Sequence, residues 1–371
     1  MTNTDSNSTL RAAVIGGSGY TGGELARLLM QHPSIELTAI TSRRLAGKPI
    51  HTVHPNLRGF TQLQFATADD ALSHAQNAGP FDVVFLCLPH RRSAEQIEQW
   101  LGAARLVVDL SADFRLRSPD DYREWYGEDH PTPERLATAT YGLPELHRDD
   151  LRALSTSNTT PIVSGVGCNA TAMNLALLPL ARAGLIERAI CDIKVGSSEA
   201  GAEPNLGSHH PERAGTVRHY APAGHRHAAE VNQALTPIQS AAGGSAFTLD
   251  VAVTAIELIR GAVCTAHIIP TEAISTKQLY TLFREAYADE PFVRVVRDRA
   301  GLHRLPDPKH VAGTNLADVG FDVDERTGRV ICIAAIDNLV KGAAGSAIQA
   351  ANLALGLDET AGLNHIGLHP N

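Results

Sequence analysis

Residues 164–174 read SGVGCNATAMN, and the cysteine in that stretch, Cys168, stands between Gly167 and Asn169. The apolar run PIVSGVG (161–167) precedes it and reads as a strand. ATAMNLALLPLARAG (170–184) follows and reads as a buried helix, kinked by Pro179 and stopped by Gly184. Cys168 is therefore expected at or just before a helix N-terminus. Unpaired N–H groups and the positive end of the helix dipole stabilise a thiolate there and lower its pKa. A nucleophilic thiol works best in such a place; the plain alternative is a buried structural cysteine at a turn. A nucleophile of this kind needs a group to handle protons. GHRHAAEVNQAL (224–235) offers His225 and His227 at the start of an apparent helix. Metal binding is the rival reading of this histidine-rich region, which also holds His209, His210 and His219. H-E-x-x-H and Cys/His ligand spacings are missing from it, so no metal is expected.

A second chemical signature lies near the N-terminus. LRAAVIG (10–16) reads as a buried strand, and helical periodicity follows in Leu25, Leu28 and Leu29. Between them Gly17, Gly19 and Gly22 fit G-x-G-x-x-G. Glycines in a strand–turn–helix let backbone N–H groups approach a pyrophosphate. The next strand, IELTAIT (35–41), runs into Ser42-Arg43-Arg44, about 20 residues past the glycines, where an NAD enzyme usually carries a carboxylate. Two guanidiniums suit a 2′-phosphate, which predicts NADPH; the alternative is a solvated basic loop.

These residues need elements to hold them. FDVVFLCLP (81–89) and RLVVDLSAD (105–113) read as buried parallel strands, with SAEQIEQWL (93–101) a helix between them. The alternation predicts a doubly wound α/β domain. The second half reads α+β. AFTLDVAVTAIEL (246–258) and AVCTAHIIP (262–270) are expected as strands, and STKQLYTLFREAYADE (275–290) as an amphipathic helix. LADVGFDV and GRVICIAAI flank a turn at DERTG (324–328) and predict a hairpin. NLVKGAAGSAIQAANLALGL (338–357) is a small-residue helix suited to return to the first domain. A chain of 371 residues suggests two domains. Its net charge of −8 argues against nucleic acid and anionic membrane as partners, and its apolar stretches are too short for a membrane span. The first nine residues read as a disordered tip rather than a signal peptide. Five cysteines, an odd count with no C-x-x-C pair, indicate reduced thiols and a cytoplasmic protein. Cys87, Cys191, Cys264 and Cys332 lie in strand-like runs and read as small core residues.

The glycine turn, GCNAT, HRH and IDNLVKGAAG together resemble the N-acetyl-γ-glutamyl-phosphate reductases, relatives of aspartate-semialdehyde dehydrogenase. The resemblance runs from about Arg11 to the C-terminus. Four segments look instead like one branch of that family: KVGSSEAGAEPNLGSHHPERAGTVR (194–218), TSRRLAGKPIHTVHPNLRG (41–59), GLHRLPDPKHVAGTN (301–315) and GLHP (367–370). In that branch, the carrier-linked γ-aminoadipyl-phosphate reductases of lysine synthesis, a small acidic carrier protein caps the substrate's amino group. Some members also take carrier-linked glutamyl phosphate for arginine synthesis. The resemblance implies a Rossmann-type doubly wound domain (10–167 and 338–371) with an inserted α+β catalytic and oligomerisation domain (168–337). It implies a homodimer or homotetramer. It makes Cys168 the nucleophile and His225 the catalytic histidine, with His227 beside it. Ser18, Gly19, Tyr20 and Thr21 match the pyrophosphate loop, Ser42, Arg43 and Arg44 the 2′-phosphate site, and Asn338 a residue near the nicotinamide. The expected reaction is NADPH-dependent reduction of an acyl phosphate through a thioester; an acetyl-capped arginine-pathway substrate is the alternative. Arg115 is a candidate for the transferred phosphate, or a structural ion pair. His209, His210, Arg213 and Arg218 are candidates for a basic patch that receives the carrier, or a solvated loop. A non-catalytic NADPH-binding redox sensor using Cys168 is the reading from another class.

Overall fold

The computed structural model describes residues 9–370. The expected N-terminal tip thus lies outside the described residues, Thr9 apart. Strands β1 (Leu10–Ile15), β2 (Ile35–Ile40), β3 (Val83–Leu86), β4 (Val107–Asp109), β5 (Ala139–Tyr141) and β6 (Ile162–Ser164) form one sheet, ordered β2-β1-β3-β4-β6-β5. Every pairing in it is parallel. Helices lie against the sheet, so its strands are apolar on both faces: all four residues of VVFL in β3 are buried. The order reverses between β1 and β3, and the glycine turn after β1 opens at that crevice.

The remaining strands are β7 (Ile186–Val195), β8 (Val217–Ala221), β9 (Thr248–Ile256), β10 (Ala262–Pro270), β11 (Val293–Val295), β12 (Ala317–Asp324) and β13 (Arg329–Ile336). They build a mixed seven-stranded sheet ordered β11-β12-β13-β10-β7-β9-β8. The hairpin expected around DERTG is present, with Asp324 facing Arg329 across β12 and β13. Burial along β10 and β13 follows the pleat: Ala262, Cys264, Ala266 and Ile268, then Val330, Cys332, Ala334 and Ile336. This face carries the helix Cys168–Arg182, which is buried from Asn169 through Ala181. Cys191, Cys264 and Cys332 are core residues as expected, whereas Cys87 is half-buried and reaches a cleft between the sheets.

Pro179 lies inside the Cys168 helix, which continues past it to Arg182. A proline cannot donate to the carbonyl four residues back, here that of Leu175. The buried hydroxyl of Tyr287 donates to that carbonyl instead. Tyr287→Phe should therefore strand a buried acceptor and lower stability by about 1–3 kcal/mol, read as a fall in the urea midpoint.

The small-residue segment after β13 is not one helix. A π-helical turn, Val340–Ala344, comes first, with Gly342 N–H donating to Asp337 O at 2.9 Å and Ala344 N–H to Leu339 O at 2.9 Å. The α-helix Gly345–Ala354 follows. A Cβ on Gly342 would sit 2.7 Å from the Cβ of Cys168, so only glycine permits this approach. Val340, Ala347, Ile348 and Ala351 pack into the same core as Leu25 and Leu28 of the helix Tyr20–Leu29 and Val14 of β1. The C-terminal helix thus completes the core of the parallel sheet.

Candidate active site

The glycine turn and Cys168 face one cleft of about 290 Å³ between the two sheets. Gly19 caps the helix Tyr20–Leu29, and Gly19, Tyr20, Thr21 and Gly22 line the cleft. Gly16 has φ +80°, and a Cβ on it would meet the Cys87 carbonyl oxygen at 2.6 Å. A Cβ on Gly22 would lie 2.5 Å from the Cα of Gly17, so glycine alone lets the helix rise this close to the strand end. Nothing lies within 4 Å of the corresponding point on Gly19, which leaves backbone open for a pyrophosphate at the helix N-terminus. These residues fit a dinucleotide. The Ser42 hydroxyl donates to the Ser18 hydroxyl at 3.2 Å and closes the loop onto β2. Arg43 and Arg44 are exposed beside it, and Arg44 pairs with Glu203 of the loop after β7.

Cys168 is the first residue of its helix, with Gly167 as N-cap. The predicted depression of its pKa is not what the surroundings produce. Loss of solvent pushes the thiol well above its ordinary value, and the nearby Glu199 carboxylate raises it further; Arg115 and the Asn169 backbone oppose this only in part. The helix dipole argument omitted a carboxylate 31 residues away. Sγ lies 3.7 Å from Oε1 of Glu199 and 3.8 Å from Oδ1 of Asn169. Glu199 also accepts from Asn169 Nδ2 at 2.7 Å and from the Tyr220 hydroxyl at 3.0 Å. It is the charged acceptor of the two that the resting thiol faces. Only its place in the SSEAGAEPN loop could have marked it in the sequence.

The two histidines divide the surroundings of the thiol. His227 begins the helix His227–Ala241 and lines the Cys168 cleft. His225 lines the adjoining cavity with Tyr220 and Arg213, and Glu199 and Arg226 border both spaces. The rings meet edge to face with centroids 4.5 Å apart. Desolvation, aided by Arg226 and Arg115, pushes His225 down to about 4, so it is neutral at physiological pH. Its Nδ1 accepts the His227 N–H at 3.2 Å. In a neutral ring the proton then resides on Nε2, which makes His225 a donor there. Burial, then the neighbouring His225, holds His227 well below the usual histidine range.

Glu230 sits one turn beyond His227 and ties the site together. Its buried carboxylate accepts from Tyr141 Oη at 2.8 Å, Gly167 N at 3.0 Å and Arg115 Nη1 at 3.3 Å. Arg115 Nε donates to Gly165 O at 3.1 Å. Arg115 is thus a buried ion pair that also forms part of the cleft wall. A Cβ on Gly167 would fall 2.6 Å from Glu230 Oε1 and 2.7 Å from His227 Nε2, so the glycine before the cysteine admits both groups. The i, i+3 spacing in HRHAAE was the available signal for Glu230. Asn338 is buried at the cleft; its Nδ2 donates to Ser198 Oγ at 2.9 Å and its Oδ1 accepts from Gly261 N at 2.8 Å.

The residues considered for a carrier patch do not behave alike. His209 and His210 are exposed. Arg213 turns inward and donates to Ile256 O at 2.8 Å and Val195 O at 3.3 Å, on the wall of the His225 cavity. Arg218 donates to the Glu212 carbonyl. Arg213 is thus half-buried and tied to the backbone, because β7 and β9 offer it two carbonyls at the end of their pairing.

Removing the Glu199 charge should release the thiol. In Glu199→Gln the midpoint of Cys168 alkylation by iodoacetamide, followed against pH, is expected to fall by about one unit. An unmoved midpoint would mean that another group sets the thiol.

A crevice of this design, with a dinucleotide turn on one wall and a thiol on the other, defines a nicotinamide-dependent oxidoreductase of the two-domain dehydrogenase class. A family model described as the semialdehyde dehydrogenase NAD binding domain matches residues 11–154, and one described as the semialdehyde dehydrogenase dimerisation domain matches 168–338. The chain belongs to the semialdehyde dehydrogenase family. It is 48% identical to a putative LysW-L-2-aminoadipate 6-phosphate reductase of Thermomicrobium roseum, covering 96% of this chain and 98% of that one. It is 46% identical to the LysW-L-2-aminoadipate 6-phosphate reductase of Deinococcus radiodurans, covering 96% and 97%. It is 44% identical to the LysW-L-2-aminoadipate/LysW-L-glutamate phosphate reductase of Saccharolobus solfataricus, covering 97% and 99%. Among solved structures, aspartate semialdehyde dehydrogenase II of Vibrio cholerae shares the fold, with TM-score 0.67 at 16% identity over 93% of this chain and 98% of that one. The enzyme of Candida albicans solved with NADP gives 0.66 at 16% identity over 94% and 99%. Among the described residues, no helix is long and apolar enough to cross a membrane.

Proposed function

We propose that the protein reduces a carrier-protein-linked γ-aminoadipyl phosphate to the semialdehyde, releasing phosphate, with NADPH as reductant and with carrier-linked glutamyl phosphate as a second substrate. The observation that carries this reading is the placement of Cys168 at a helix N-terminus on the same cleft as the glycine turn. Near full-length similarity to reductases named for LysW-linked substrates supports the carrier. The two guanidiniums that follow β2, at the sequence position where a ribose-binding carboxylate would stand, support the 2′-phosphate.

The chain's own groups divide the work. The Cys168 thiol passes its proton toward Glu199, and the sulfur attacks the acyl carbon; phosphate leaves and a thioester remains. Asn169 and Ala170 lie in the first turn, where helix N–H groups lack intrahelical acceptors, so they receive the negative oxygen of the tetrahedral state. His225 Nε2–H, from the adjoining cavity that shares Glu199 and Arg226 with this cleft, is the donor proposed for the same oxygen. Arg115, fixed by Glu230, supplies positive charge at the cleft wall for the departing phosphate. When bound, the nicotinamide cofactor supplies the hydride that reduces the thioester carbon; sulfur is then expelled and the aldehyde is free. Ser198 and Gly261 hold the Asn338 amide at the cofactor side of the cleft.

The test follows NADPH oxidation with acyl phosphates made in situ by the matching kinases. Carrier-linked aminoadipyl phosphate is expected to turn over, and carrier-linked glutamyl phosphate to follow. Turnover of N-acetylglutamyl phosphate alone overturns the carrier reading. The 2′-phosphate assignment is tested separately. Replacing both arginines, Arg43→Ala with Arg44→Ala, should raise KM for NADPH about 10- to 100-fold and leave KM for NADH within about twofold.

A further inference from the structure

The geometry points to a divalent-cation site outside the active cleft, built from His303, His310 and His369, that fastens the C-terminal segment to the loop before β12. One ring nitrogen from each histidine lies within 4.8 Å of the others. The ring centroids stand 4.7 Å apart for His303 and His310, and 5.9 Å for each of these with His369. Three imidazoles around a tetrahedral zinc at about 2.0–2.1 Å place their nitrogens about 3.4 Å apart. Side-chain rotation closes the difference, since His303 and His369 are exposed and His310 is half-buried. Among the described residues none of the three rings has a side-chain hydrogen-bond partner, so no hydrogen bond must be broken to form the site.

The backbone beneath is well anchored. Pro308–Val311 forms a 3₁₀ turn whose Asp307 side chain accepts from Lys309 N at 2.9 Å. Gly313 follows: its N–H donates to Asp337 at 2.7 Å and its carbonyl accepts from Arg27 at 3.1 Å. The tail comes close to the same loop, since a Cβ on Gly367 would lie 3.0 Å from the His310 carbonyl. An anchored loop thus supplies two ligands and the tail supplies the third. Three neutral imidazoles with no carboxylate select a borderline cation such as Zn²⁺, Co²⁺ or Ni²⁺ over Mg²⁺ or Ca²⁺. A fourth position is left to water. The cation would cross-link residues 66 apart in sequence and hold the tail against Ala312 and Thr314, beside the Gly367 approach.

The test uses untagged full-length protein stripped with EDTA and titrated with Zn²⁺ and Co²⁺. One equivalent per chain is expected to bind. His303→Ala with His310→Ala should weaken binding at least about 100-fold, whereas His209→Ala with His210→Ala should leave it unchanged. Bound Co²⁺ should show tetrahedral visible bands without thiolate charge-transfer absorption, which separates this site from Cys168. Zn²⁺ should also slow carboxypeptidase release of the last residues in the parent and not in the His303/His310 double variant. No stoichiometric uptake by the parent, uptake that persists in that variant, or a thiolate band would each overturn the proposal.

Discussion

A Cys168→Ala chain is expected to lose reductase turnover by about 10⁴-fold or more while binding NADPH with unchanged affinity. The nucleophile forms the only covalent bond between chain and substrate in the proposed sequence. No neighbour can replace it: the Asn169 amide is not a nucleophile, the buried Thr171 hydroxyl donates to Gly167 O in its own helix, and Cys87 has its thiol pushed far up by desolvation and the Asp109 carboxylate. Alanine fits where the Cys168 Cβ already packs on Gly342, so the fold should be undisturbed. Two measurements separate the roles: phosphate release in a single turnover, and quenching of NADPH fluorescence on binding. Turnover within tenfold of the parent would remove Cys168 from the chemistry. Lost turnover together with lost NADPH binding would show that the substitution damaged the cleft instead.

The largest effect on stability is expected at Lys341. This lysine of IDNLVKG is fully buried, and so is its partner. Nζ donates to Glu145 Oε1 at 2.6 Å and to Gln349 Oε1 at 2.8 Å. Gln349 in turn donates to Glu359 at 2.8 Å, and Asn315 donates to Gln349 at 2.9 Å. The cation therefore neutralises a carboxylate where the C-terminal helix meets the helix Pro144–Ala153. Lys341→Ala leaves Glu145 charged in a dry interior, and removing one partner of such a pair costs about 3–5 kcal/mol. The loss should appear as a lower urea midpoint. Adding Glu145→Gln should return more than half of it, because the uncompensated charge, rather than the missing contact, is the main cost. A loss below about 1 kcal/mol would mean that water reaches this pair.

Nearest-neighbour chemistry made much of this molecule legible. The strand–glycine–helix turn, the continuous apolar strands, the hairpin at DERTG and the helix beginning at Cys168 all appear where periodicity and turn residues place them. Each depends on residues within one or two turns of chain, and the steric demands of glycine and proline are local. Among the secondary-structure elements, the small-residue helix after β13 failed in detail. Its first turn widens to a π-turn beside the point where Gly342 meets Cys168, and that contact joins segments far apart in sequence.

Tertiary structure decided what the groups in the site are able to do. Local pattern alone placed a thiol at a helix N-terminus and a glycine turn after a strand, and the family resemblance alone put two histidines beside that thiol. The sequence did not determine the thiol's proton affinity, because Glu199 and desolvation raise it and both act through space. It did not reveal that Arg115 is locked to Glu230, that Arg213 turns inward, or that Lys341 is buried with Glu145. Nor did it bring His303, His310 and His369 together, since no ligand-spacing rule spans a 66-residue gap. Charge interaction and coordination depend on distance in space, and only the packing of the two sheets supplies those distances.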